Sequence, residues 1–335
     1  MSKPAARARI YRGTPRNLAA LARVLRRGGL VAVPTETVYG LAADALNARA
    51  CRKIFTAKGR PANDPLIVHI LARGDLDRIA RPNDAARILA RKFWPGPLTL
   101  VLPRQPAVPD VVSAGRSSVA VRMPRHPLLR RLLKLGGRPL AAPSANPFGY
   151  VSPTTAGHVL AGLGHRIRYI LDGGPSAIGL ESTIVDLRDP RKPRLLRPGA
   201  ITRAQLERAL GRPVLTARVS RRPVRGAQLA PGLLTRHYSP RTPLVLHRRI
   251  DPKDVRADHG RDRAWLFIAK PRNLAGTNIH WLDPRGNLRG AARRLFGALR
   301  SLDAGGFKAI HAELPPGNGL AEAINDRLRR AAARG

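Results

Sequence analysis

Between Gly211 and Pro243 the chain carries five prolines and three glycines, is rich in arginine and contains no acidic residue. No regular element tolerates that pattern, because each proline removes a backbone donor and disfavours helix at the residue before it. A connection longer than about 12–15 residues is usually either functional or disordered. The stretch therefore divides the chain into a unit over 10–211, a linker over 212–243 and a smaller unit over 244–333.

Before the linker, short apolar runs bounded by Gly, Pro and Asn predict buried strands at 30–34, 66–70, 98–102, 118–122, 139–142, 169–171 and 183–187. Helices are predicted over 48–57 behind an Asn47 cap, over 84–93, and over 203–210, where Thr202 and Gln205 have capping-box spacing. Many strands with few long helices imply an α+β fold around a twisted mixed sheet. After the linker, strands at 244–247, 264–269, 279–282 and 308–313 accompany helices over 288–303 and 319–333. That pattern predicts a small, largely parallel, Rossmann-like α/β sheet.

Charge is the unusual entry in the composition. Lys and Arg number 61 against 21 Asp and Glu, a net +40. The excess is spread along both units with no block of like charges, so it reads either as a polyanion-binding surface or as a compositional preference for arginine. Cys51 is the sole cysteine, which excludes a disulfide framework and a cysteine-based zinc site; it reads as buried filler on a helix. No apolar run approaches membrane-spanning length and the N-terminus lacks a signal-like apolar stretch, so a soluble, cytoplasmic protein is expected.

Six polar segments lie where strands end, the places where ligand sites are commonly built. In 34–45, PTETVYGLAADA, the hydroxyls of Thr35, Thr37 and Tyr39 with Glu36 suit a small polar ligand, although Thr and Tyr are also ordinary strand residues. In 58–70, Lys58 and Arg60 flank a Gly turn and suit a polyphosphate, but neighbouring cations are common in so basic a chain. His69 lies inside an apolar run, where a core role competes with a ligand role. Arg122 ends another apolar run and needs an anionic partner or an exit to water. Ser144, Asn146 and Ser152 sit in a Pro-rich turn, and Ser182 enters a strand ahead of the Leu196–Gly199 turn. His237 and Tyr238 stand out in the linker motif TRHYSPRTP. No P-loop, dinucleotide fingerprint or nucleophile elbow is present. The residues point to phosphate and carboxylate binding, with the reaction class open.

Taken in order, PTETVYGLAADA, KGRP with DPLIVHI, FWPGPLTLVL, VAVRMPRHP, PSAN and LESTIVDL resemble the YrdC-like catalytic domain of the L-threonylcarbamoyladenylate synthase family. RHYSP and the closing AEAINDRLRRAA resemble its long, two-domain form. The resemblance covers residues 13 to 333 and implies a nucleotidyltransferase that makes threonylcarbamoyl-AMP and pyrophosphate from L-threonine, bicarbonate and ATP with Mg2+. A downstream transferase would place the threonylcarbamoyl group on tRNA adenosine. By the same resemblance Lys58, Arg60, Ser144 and Asn146 are catalytic. Thr35, Thr37, His69, Arg122 and Ser182 would hold threonine, and Ser118, Ser152, Arg197 and His237 would complete the ATP site. No side-chain nucleophile or protein metal ligand is implied. Leu233 and Leu234 stand where the family's linker carries a Met and an aromatic residue. A non-catalytic tRNA- or rRNA-binding protein on the same fold is the alternative; it draws on the charge and is opposed by an aromatic content of only 4%.

Overall fold

The structure is a computed structural model, and it describes residues 7–216, 228–230, 237–258 and 262–333. Leu233 and Leu234, with most of the linker, lie outside the described residues. Eleven strands form the first sheet: β1 (Arg9–Arg12), β2 (Val31–Val33), β3 (Gly40–Asp44), β4 (Ile67–His69), β5 (Leu98–Pro103), β6 (Ser118–Arg122), β7 (Leu140–Ala141), β8 (Tyr169–Asp172), β9 (Thr183–Asp186), β10 (Arg194–Arg197) and β11 (Leu215–Thr216). Their order is β1-β8-β2-β3-β7-β4-β6-β5-β9-β10-β11, with parallel and antiparallel neighbours mixed.

Alternation along β2 explains the layering. Val31 and Val33 turn to one face and Ala32 to the other, as the pleat requires. The first face is covered by the helix Pro15–Arg26, which buries Leu18, Leu21, Ala22 and Leu25 against Leu129, Leu132 and Leu133 of the helix Pro127–Gly136. The opposite face receives the helices Ala48–Lys58 and Asp84–Phe93, capped by Asn47 and Asn83. Cys51 is buried in that layer, as the sequence predicts, its Sγ donating to the Asp44 carbonyl at 3.3 Å.

The second sheet holds β12 (Leu244–His247), β13 (Arg263–Ala269), β14 (Ile279–Asp283) and β15 (Ala309–Glu313) in the order β12-β15-β13-β14, all parallel. The helices Leu288–Asp303 and Leu320–Ala332 pack on it, and their core extends into the first unit through Val38, Val151 and Leu180 and takes in Tyr238 of the linker. Gly179 sits at the seam with φ +81°. A Cβ there would fall 2.5 Å from the Arg293 Cα, so only glycine allows this loop to lie on the helix backbone.

Three features depart from the sequence reading. The stretch read as linker begins with an edge strand, since β11 pairs in parallel with β10. The segment 34–45 is half strand, because β3 runs through GLAAD. The helices Pro15–Arg26, Pro127–Gly136 and Ala156–Leu163 and the strands β1 and β10 were not predicted at all.

Candidate active site

Strand ends and turns bring Thr35, Thr37, Arg60, His69, Arg122, Ser144, Ser182, Arg197 and His237 to the wall of one cleft, together with Gly40 and Glu181. Parallel register places His69, at the end of β4, beside Arg122, at the end of β6. Ser144 reaches the cleft because the chain after β7 bridges to Gly40. A side chain at Gly40 would press on the Ala142 Cβ at 3.2 Å. The cavity that remains is about 40 Å³, room for a few waters.

One half of the cleft is built around Arg122. Its Nη1 donates to Thr37 Oγ1 at 2.9 Å and its Nε to the Gly96 carbonyl at 3.2 Å. Its Nη2 lies 2.7 Å from Glu36 Oε1, an ion pair closed to solvent whose alignment is not that of a hydrogen bond. Burial, the largest influence, raises the Glu36 carboxyl, but the Arg122 guanidinium and nearby backbone N–H groups together outweigh it and the net pKa lies below the usual value. Thr35 Oγ1 contacts Thr37 Oγ1 at 2.8 Å and closes the turn by accepting from the backbone N–H groups of Thr37 and Val38. Burial, then the Arg122 charge, pushes His69 down to about 3, so the imidazole is neutral.

The other half is cationic. Lys58 ends its helix fully buried, with Gly59 in left-handed geometry after it, and its Nζ donates to the backbone carbonyls of Ser144 and Asn146. Arg60 pairs with Asp64 at 2.9 Å and donates to the Pro65 carbonyl at 2.8 Å. Arg197 donates from Nε to the Ser182 carbonyl at 3.0 Å and from Nη2 to Ser182 Oγ at 3.2 Å. Burial lowers the Lys58 ammonium well below its ordinary range, and the Arg60 charge adds to that. His237 packs among these cations; burial, then Arg60, Lys58 and Arg197, holds it neutral.

Four expected residues stand elsewhere. The Lys58 and Asn146 side chains lie behind the cleft wall: Lys58 ties down the 144–146 turn, and Asn146 Nδ2 donates to the carbonyls of Pro147 and Tyr150. Ser152 is buried with its hydroxyl donating to Glu181 Oε1 at 2.5 Å. Ser118 begins β6, at the opposite end of the strand from Arg122. Sequence reasoning named Glu36 beside the hydroxyls of its segment but gave it no partner, and it missed Glu181, although that residue stands inside a quoted motif. A carboxylate beside so many arginines was the available signal.

The twisted mixed sheet, a cleft of buried arginines and hydroxyls, and a parallel α/β unit docked beside it define the class: a YrdC-like domain carrying a second domain. A family model described as "Telomere recombination" matches residues 23–199, and one described as "Threonylcarbamoyl-AMP synthase, C-terminal domain" matches residues 201–333. The threonylcarbamoyl-AMP synthase of Pyrococcus abyssi is 41% identical, with 92% of this chain and 91% of that protein covered. The synthase of Bacillus subtilis is 40% identical, with 94% and 92% covered. A crystal structure of P. abyssi Sua5 complexed with L-threonine superposes with a TM-score of 0.88 at 38% identity, covering 97% of this chain and 98% of that one. The chain belongs to the threonylcarbamoyl-AMP synthase family.

Proposed function

We propose that this protein condenses L-threonine, bicarbonate and ATP into threonylcarbamoyl-AMP and pyrophosphate. The observation that supports it best is the division of one cleft into a half at Arg122, whose guanidinium already pairs with a carboxylate, and a cationic half lined by Arg60 and Arg197, with Lys58 behind its wall. In this reading the threonine amine takes up the carbon of bicarbonate with loss of water, giving a carbamate. A carbamate oxygen attacks the α-phosphorus of ATP, and pyrophosphate leaves.

This chain's residues then act by position and charge. Arg122 holds the threonine carboxylate in place of Glu36, with Thr35, Thr37, Ser182 and neutral His69 around the side chain. Arg60 and Arg197 face the phosphates. Lys58 holds the Ser144 turn against them, and Ser118 and Ser152 act in the completed nucleotide site. Among the described residues no group of three or more His, Cys, Asp or Glu could hold a metal. The nearby carboxylates Glu36, Asp64 and Glu181 are each paired with an arginine. Those residues do not form a magnesium site, so the ion would enter on the triphosphate.

The product would serve a threonylcarbamoyl transferase acting on tRNA, and the basic surface would bring tRNA close. No helix among the described residues is long and apolar enough to cross a membrane; we place the reaction in the cytoplasm. The test is an omission experiment that reads threonylcarbamoyl-AMP by mass. Product should require threonine, bicarbonate and ATP together. Pyrophosphate release that ignores threonine, or RNA binding without any adenylate, would overturn this assignment in favour of a binding protein.

A further inference from the structure

Arg327 lies in the helix Leu320–Ala332, in the second unit, and its side chain is fully enclosed. The guanidinium makes bonds into the first unit. Nε donates to Glu181 Oε2 at 2.9 Å, Nη2 to the Glu181 carbonyl at 3.3 Å, and Nη1 to the Pro198 carbonyl at 2.9 Å. Asp326 contributes a further contact at 2.8 Å, and the Tyr238 ring lies 5.5 Å away. One side chain thus grips the loop before Ser182 and the turn after Arg197, and it rests on the residue beside His237.

A buried ion pair is a poor route to stability alone, because well-packed apolar residues of the same volume often serve as well or better. What a guanidinium adds is a rigid fork that fixes several acceptors at once. Its far end shows what is being fixed. Glu181 also receives the Ser152 hydroxyl at 2.5 Å, while Arg300 of the helix Leu288–Asp303 donates to the Val151 carbonyl and, at 3.4 Å, to that of Ser152. Ser152 therefore spends its proton on Glu181, and only its lone pairs are left for a further partner.

We propose that Arg327 is a positioning residue for the nucleotide half of the site, acting through Glu181 on Ser152 and through the 181 and 198 carbonyls on Ser182 and Arg197. The second unit then supplies a bracket that sets active-site geometry. The proposal rests on reading that half of the cleft as the ATP site.

The experiment uses the full chain with Arg327→Met, Arg327→Lys and Glu181→Gln, reading KM and kcat for ATP and threonine separately. Losing one charge-assisted contact should raise KM for ATP about 10- to 100-fold in Arg327→Met, with threonine KM within about twofold. Arg327→Lys should recover part of the loss, and Glu181→Gln should fall on the same side as Arg327→Met. A folded Arg327→Met protein with unchanged ATP KM, or with both KM values raised alike, overturns the proposal and leaves Arg327 an interface staple. If Arg327→Met does not fold, Glu181→Gln decides: a wild-type ATP KM overturns the proposal. If the wild-type protein makes no adenylate, the function assigned above fails separately, and calorimetric ATP binding decides here. Weaker ATP binding by Arg327→Met supports the bracket; equal binding, or none by either protein, overturns it.

Discussion

Neutral histidines, His69 and His237 on the cleft wall and His158 on the helix Ala156–Leu163 beside Thr154, make the protein sensitive to acid. His69 is held down to about 3 by burial and then Arg122, His158 to about 4 by burial and then Arg300, and His237 well below its ordinary value. In the unfolded chain each titrates near 6.5. The folded pKa is depressed, so the stability is fully present above the unfolded value and is lost as pH falls from there toward the folded one. Each such group steepens the loss by up to about 1.4 kcal/mol per pH unit. Melting temperature should be flat above neutrality and fall between pH 6.5 and 4.5, and His69→Gln should shallow that slope by one proton. Equal slopes for the two proteins would remove His69 from the account. At this scale the sequence was most informative about cations at strand ends and least about their partners. Arg122 was flagged because a charge ending an apolar run needs an anion. That Glu36 would supply one, or that Arg327 would reach Glu181 across 146 residues, follows only from the fold.

Elements with a local signature were legible. The Thr202–Gln205 capping box starts the helix Arg203–Leu210 as read, and β6 spans the predicted residues. The helix Pro15–Arg26 was missed although Thr14, Pro15 and the spacing of Leu18, Leu21, Ala22 and Leu25 carried the signal. β3 was hidden because GLAAD lacks β-branched residues and owes its strand to β2 and β7. The linker matters most to function. His237 stands edge-on to Tyr238, ring centres 4.0 Å apart, and Tyr238 itself adopts a left-handed φ of +65°. Such strain persists only where the surroundings hold it. His237 lines the small cavity that would receive the nucleotide, so ATP binding is expected to shift the linker around it. Trypsin cleavage at the arginines of the linker should therefore change when ATP is bound. An unaltered digestion pattern at saturating ATP would show that the linker takes no part.

For the whole molecule, the net charge now has a structural side. Buried acids are spent inward: Glu36 on Arg122, Asp64 on Arg60, Glu181 on Arg327 and Asp186 on Arg188. Each such pair removes one acid and one base, so the remaining 17 acidic and 57 basic residues of the 21 and 61 keep the whole excess of +40, much of it on exposed arginines. If that surface holds tRNA, the affinity should fall steeply between 50 and 200 mM salt, by about 10³-fold or more for six or more phosphate contacts. Adenylate synthesis, whose charges are enclosed, should change little over the same range. Salt-insensitive tRNA binding, or none at low salt, would make the excess a matter of composition alone.

The bracket from Arg327 to Glu181 also sets an order in time. A ribosome that has just made Glu181 has Ser152 behind it but not their clamp, which follows 146 residues later. At ordinary synthesis speeds that interval is roughly 7–30 s. Throughout it the nascent first unit exposes Val38, Val151 and Leu180, which later sit in the shared core. Competence thus arrives late in synthesis, and a chain released before its closing helix would carry every motif of the site without a settled place for the nucleotide.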